Sequence, residues 1–97
     1  MSDPLREEPP TGEDAANRLK RLRMRSWRRG IKEMDLILGR YADAHLDGMS
    51  ADELDLYDTL LSENDQELYA WVSGMGSAPL ALAPLVARIA AHARGAG

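Results

Sequence analysis

Ser50-Ala51-Asp52-Glu53-Leu54-Asp55-Leu56-Tyr57-Asp58-Thr59-Leu60-Leu61 starts and runs as a helix. A serine followed three residues later by a glutamate is a capping box. Its hydroxyl and carboxylate each accept from a backbone N–H that the first turn leaves unpaired. Behind it, Leu54, Tyr57, Leu60 and Leu61 recur at spacings of three, three and one, which puts them on one face of a helix over about 51–62.

The same period extends in both directions. Toward the N-terminus, Asp47-Gly48 is a turn that closes a helix over about 30–45, with Ile31, Met34, Ile37, Leu38, Tyr41 and His45 on one face. Gly30 interrupts the pattern, so a break falls near Trp27–Gly30. Before it a first helix is predicted from about Asp14 to Arg25, with a narrow stripe of Ala15, Leu19 and Leu22. Toward the C-terminus, Glu63-Asn64-Asp65 is a turn and a new N-cap for a short helix over about 65–73 that buries Leu68, Trp71 and Val72. After the loop Gly74–Pro79, a last helix is predicted from about Leu82 to Arg94. Leu82, Leu85, Val86, Ile89 and Ala93 face inward, Pro84 sits in the first turn and Gly95 is the stop.

Composition agrees. Ala, Leu and Arg are abundant, phenylalanine is absent, and valine and isoleucine are few, which favours helices over strands. The expected fold is all-α, a small five-helix bundle: residues 14–94 as a single domain, 1–13 as a disordered acidic tail rich in proline, and 95–97 as a short tail.

Ninety-seven residues leave little room for a large enclosed active site. The absence of cysteine removes disulfides, thiolate nucleophiles and Cys-ligated metals. No apolar run reaches the ~20 residues that span a bilayer, and the acidic opening lacks the pattern of a signal or transit peptide. No membrane insertion and a cytoplasmic location are therefore expected. The net charge of −4 is unevenly spread: residues 18–29 hold seven bases and no acid, whereas residues 31–70 hold eleven acids against Lys32 and Arg40. Such asymmetry orients a charged partner.

Catalytic chemistry is poorly supplied. His45 and His92 fall near the ends of different helices without a companion ligand at metal spacing, so no metal site is expected. The serines lack the setting of a nucleophile elbow. Gly74-x-Gly76 follows a helix and precedes Pro79, which is the wrong setting for a phosphate cradle. The basic stretch with Trp27 admits a second reading, a small nucleic-acid-binding or regulatory helical protein acting through 18–29. The acidic balance of the whole chain, with a pI of about 5.1, weighs against nucleic acid. Met24 and Trp27, if exposed, could support a weak dimer.

The remaining informative segment is Trp27-Arg28-Arg29-Gly30-Ile31-Lys32-Glu33-Met34-Asp35. If it is helical from about position 29, Arg29 and Glu33 are i and i+4 and share a face. A glycine beside them weakens the helix unless a positive φ or a close approach by another backbone offsets it.

Arg29-Gly30-x-x-Glu33 resembles the Arg-Gly-x-x-Glu signature of the succinate dehydrogenase assembly factor 2 family. Its setting strengthens the resemblance: the Arg-rich approach, Met34-Asp35-Leu36-Ile37-Leu38, Leu54-x-x-Tyr57-x-x-Leu60-Leu61 and Asp65-x-Glu67-Leu68-Tyr69-x-Trp71 follow in order. The likeness covers about residues 17–90. It implies a non-enzymatic five-helix bundle that binds the flavoprotein subunit of succinate dehydrogenase, with the flavoprotein subunit of fumarate reductase as a further candidate client. It also implies that such a protein promotes the bond between a histidine of that subunit and the 8α carbon of FAD. FAD is then the client's cofactor, with none held stably by this chain. The partner-binding residues expected are Arg29, Gly30 and Glu33, with Arg28 and Lys32 beside them.

Overall fold

The computed structural model describes residues 13–96, and these contain five α-helices and no strand. They are α1 (Ala15–Trp27), α2 (Lys32–His45), α3 (Ala51–Leu61), α4 (Asp65–Val72) and α5 (Ala83–Ala91). A single 3₁₀ turn, Leu46–Gly48, continues α2, and a wider π-type turn, His92–Ala96, follows α5. The all-α bundle read from the sequence is the architecture observed. Residues 1–12 of the expected tail, and Gly97, lie outside the described residues. Glu13, grouped with that tail, accepts from Arg21 Nε at 2.9 Å and is half-buried.

Each helix begins for a local reason. Asp14 caps α1 by accepting the Asn17 N–H, and Asn64 caps α4 by accepting from Gln66 and Glu67. At α3 both halves of the Ser50–Glu53 capping box form, and the Ser50 N–H holds the Glu53 carboxyl below its ordinary range. Pro84 occupies the first turn of α5, where its missing N–H costs nothing.

The core runs along α2, which touches α1, α4 and α5. Met34, Leu38 and Ala42 of α2 are fully buried with Leu22, Leu46, Tyr57 and Leu60, and Tyr41, Leu61, Leu68, Leu82, Leu85, Val86 and Ile89 complete the cluster. The sequence pattern departs from this at its edges. His45 and Ala93, expected inward, are exposed, while Ala90 and Leu46 take inward positions. α2 begins at Lys32, and α5 gives way to the π-type turn after Ala91. Inside the core the Tyr57 hydroxyl meets Ser26 Oγ at 2.6 Å, and Ser26 donates to the Leu22 carbonyl at 2.8 Å. Burial pushes the Tyr57 phenol up to about 12 despite the Ser26 hydrogen bond.

Among the described residues, no helix is long and apolar enough to cross a membrane.

Candidate functional site

The signature segment forms an elbow between α1 and α2. α1 stops at Trp27, Arg28 leaves the helix at φ −119° and ψ 63°, and Ile31 caps α2 in an extended conformation. Arg29 and Glu33 therefore do not share one helix, and the expected i, i+4 pair does not form. Arg29 turns inward, its side chain 9% exposed. Its Nε donates to Asp65 Oδ1 at 2.7 Å, Nη1 to the Leu61 carbonyl at 2.9 Å and Nη2 to the Glu63 carbonyl at 3.1 Å. The guanidinium thus ties the elbow to the α3–α4 corner and satisfies carbonyls that the end of α3 leaves open.

Two carboxylates hold the elbow's backbone. Asp35 accepts the Arg29 N–H, and Asp65 Oδ2 accepts the Gly30 N–H. The space beside Gly30 is set by that second contact: a Cβ there would lie 3.1 Å from Asp65 Oδ2. Gly30 has no positive φ, and the atom that approaches it belongs to a side chain, so neither offset foreseen from the sequence applies. Gly30 remains exposed. Arg28, Lys32 and Glu33 are exposed around it, so four of the five expected site residues share one open edge while Arg29 supports it from beneath.

The basic stretch is mostly engaged within the molecule. On one flank of α1, Arg18 pairs with Asp55, and Arg21 and Arg25 both pair with Asp58, all on α3. Burial works against the Asp58 charge, but the Arg21 hydrogen bond and the two arginine charges outweigh it and hold its carboxyl below the usual range. On the other flank Arg23 reaches Asp43 and Asp47 at 3.2 and 3.4 Å. With Arg29 on Asp65, five of the seven bases in 18–29 neutralise acids of this chain. That leaves a weak electrostatic footing for phosphates and disfavours the nucleic-acid reading.

Two further features escaped the sequence pattern. The Trp27 indole lies over Gly39 in the middle of α2, where an added Cβ would sit 2.2 Å from the ring. A glycine inside an otherwise strong helix was the available signal. His45 and His92, read as isolated, come together with ring centroids 5.2 Å apart, and Tyr41 packs against both. No group of three or more metal-ligating side chains occurs among the described residues.

Comparison with known proteins bears on this geometry. A family model described as flavinator of succinate dehydrogenase matches residues 20–93, which include the elbow, its Asp35 and Asp65 supports and all five helices from Lys20 onward. A protein of Meyerozyma guilliermondii is 45% identical over 74 residues, covering 74% of this chain and 55% of its own length. One of Debaryomyces hansenii is 46% identical over 63 residues, covering 65% of this chain and 44% of its own. Another, of Candida glabrata, is 49% identical over 53 residues, covering 55% and 35%. All three are named succinate dehydrogenase assembly factor 2, mitochondrial. The chain spans about half the length, or less, of these curated relatives. Their names place them in the mitochondrion, which overturns the cytoplasmic location expected from the acidic N-terminal stretch. With a match that covers most of the helical domain and its elbow, the chain belongs to the flavinator of succinate dehydrogenase family.

Proposed function

We propose that this protein binds the flavoprotein subunit of succinate dehydrogenase and promotes covalent attachment of FAD to it, acting as an assembly factor and not as an enzyme. One observation carries the reading at the level of residues: an exposed backbone elbow at Gly30, rigidly held from within and rimmed by Arg28, Lys32 and Glu33. A glycine edge lets a partner's surface approach the main chain closely. Glu33 and the flanking cations offer charge-assisted hydrogen bonds around it. Arg29, buried on Asp65, contributes by shape.

The work of such a surface is positional. It holds the client in the arrangement that brings the client's histidine within reach of the flavin 8α carbon. The flavin chemistry stays with FAD and the client that holds it. No glycine-rich cradle that would seat a dinucleotide is present in this sequence. The flavoprotein of fumarate reductase is a second candidate client on the same reasoning.

The test is reconstitution of the apo flavoprotein subunit with FAD, scored as protein-bound flavin fluorescence after denaturing electrophoresis. Wild type raises the covalent yield. Gly30→Arg fills the elbow and Glu33→Ala removes its acid, so both lower the yield and weaken binding. Normal yield and normal binding for both variants rule this site out.

A further inference from the structure

We infer that the outward ridge of α1, formed by Lys20, Met24 and Trp27 and extended by Arg28 just past the helix end, is a second docking surface for the client, continuous with the Gly30 elbow. This rests on the function proposed above.

The ridge is defined by what flanks it. Leu22 and Ser26 point into the core and are fully buried. Arg18, Arg21 and Arg25 lean toward α3 onto Asp55 and Asp58, and Arg23 leans the other way onto Asp43 and Asp47. Between these two ladders lie positions 20, 24 and 27, at the helical spacing of one face, with 28 just past the helix end. All four are exposed, and neither Lys20 nor Arg28 has an acidic partner among the described residues. The solvent side of a surface helix is ordinarily polar. Here its centre carries Met24 at 43% and Trp27 at 37% exposure.

Trp27 is also held in place. Its ring rests on Gly39, and its indole N–H reaches toward Asp43 Oδ1 at 3.4 Å. A half-exposed tryptophan fixed in one orientation is a low-entropy anchor. Shallow surface depressions line the ridge on both sides, one by Lys20, Met24, Arg25 and Arg28, the other by Leu19, Met24 and Trp27.

Charge decides the occupant. A symmetric dimer through this ridge would set the same patch against itself. Antiparallel α1 helices would then oppose Lys20 to Arg28 and bring like charges together. The complement is an apolar strip bordered by carboxylates, presented by the flavoprotein client, whose contact with the elbow already brings it to Arg28.

The experiment titrates apo flavoprotein subunit of succinate dehydrogenase into the full chain, wild type, Met24→Asp and Lys20→Glu, with helicity checked by circular dichroism. Glu33→Ala reports the elbow separately. Met24→Asp is expected to weaken binding by about tenfold or more, as for a residue near the centre of an interface. Lys20→Glu is expected to weaken it about two- to fivefold, and the loss shrinks as salt is raised. Wild type that binds, with both ridge variants within twofold of it and Glu33→Ala impaired, overturns the ridge and leaves the elbow standing. Wild type that neither binds nor raises covalent flavin overturns the functional reading, and the ridge with it. Sedimentation adds a third arm: if Met24→Asp abolishes self-association of wild type but spares client binding, the ridge belongs to a second copy and the inference fails.

Discussion

Replacing Arg29 by alanine removes one guanidinium and leaves several groups without their partner. Asp65, its side chain 17% exposed, keeps only the Gly30 N–H, and the Leu61 and Glu63 carbonyls lose their donors. Breaking a buried ion pair from one side costs about 3–5 kcal/mol. The lower end applies because the elbow opens to water, which can enter the space that Arg29 vacates. About 3 kcal/mol is therefore expected from a total that for a domain of this size is about 5–15 kcal/mol. Arg29→Lys retains the charge but cannot reach both carbonyls as a planar fork does, and about 1.5–2 kcal/mol should be lost. The measurement is urea unfolding followed by circular dichroism. With a slope of about 1–1.5 kcal/mol/M, the alanine variant shifts the midpoint down by about 2–3 M while the slope is unchanged. A double-mutant cycle with Asp65→Ala should show coupling of about 1.5–2 kcal/mol. An alanine variant within about 0.5 kcal/mol of wild type, or additivity with Asp65→Ala, refutes the clamp.

Other perturbations probe other parts of the structure. Gly39→Ala gains up to about 1 kcal/mol of helix propensity but drives a Cβ into the Trp27 ring, and a net loss of about 1–2 kcal/mol is expected. In a Trp71→Phe background the emission of Trp27 should shift to the red as the ring is displaced; an unchanged spectrum means the seat is not occupied. Ser26→Ala leaves the buried Tyr57 hydroxyl short of its 2.6 Å partner and should cost about 1–3 kcal/mol in thermal or urea unfolding. Tyr57 also sets an alkaline limit. Its folded-state pKa is raised to about 12 from an ordinary 10.0, so the protonated phenol is favoured by folding. That contribution is whole below pH 10.0 and is lost as pH rises toward about 12, a decline of about 3 kcal/mol. Tyrosinate absorbance should show Tyr57 ionising with unfolding, and its ionisation in the folded protein well before unfolding would contradict its burial.

The helices were legible because their signals are local. The Ser50–Glu53 box, the leucine spacing of α3 and the interruption at Gly30 lie within one or two turns of the structure they specify. What the sequence did not reveal depends on residues brought together from afar. Arg29 lies four residues from Glu33 and thirty-six from Asp65, so periodicity pointed to the near acid while the chain's path delivered the distant one. The same holds for most ion pairs of the α1 arginines, whose acids sit on α2, α3 and the turn between them, and for the His45–His92 contact. The burial of Ser26 against Tyr57 was not legible either, since a lone serine leaves no mark in the spacing of leucines. Within the candidate site, the exposed edge of Arg28, Gly30, Lys32 and Glu33 follows from their order along the elbow. The inward turn of Arg29 does not.

The attachment of α1 has a consequence for how the protein breathes. Leu22 and Ser26 are its fully buried residues and Leu19 packs half-buried against the core, but ahead of Leu19 its first turns are tied down by ion pairs at partly exposed positions. Such pairs hold weakly, and salt loosens them. The far end is different, because Trp27 on Gly39 and Arg29 on Asp65 pin it. α1 thus frays from Ala15 toward the elbow, with amide exchange fastest in its first turns. A ligand seated along this helix would slow that exchange at its own binding site, so amide protection there reads occupancy directly.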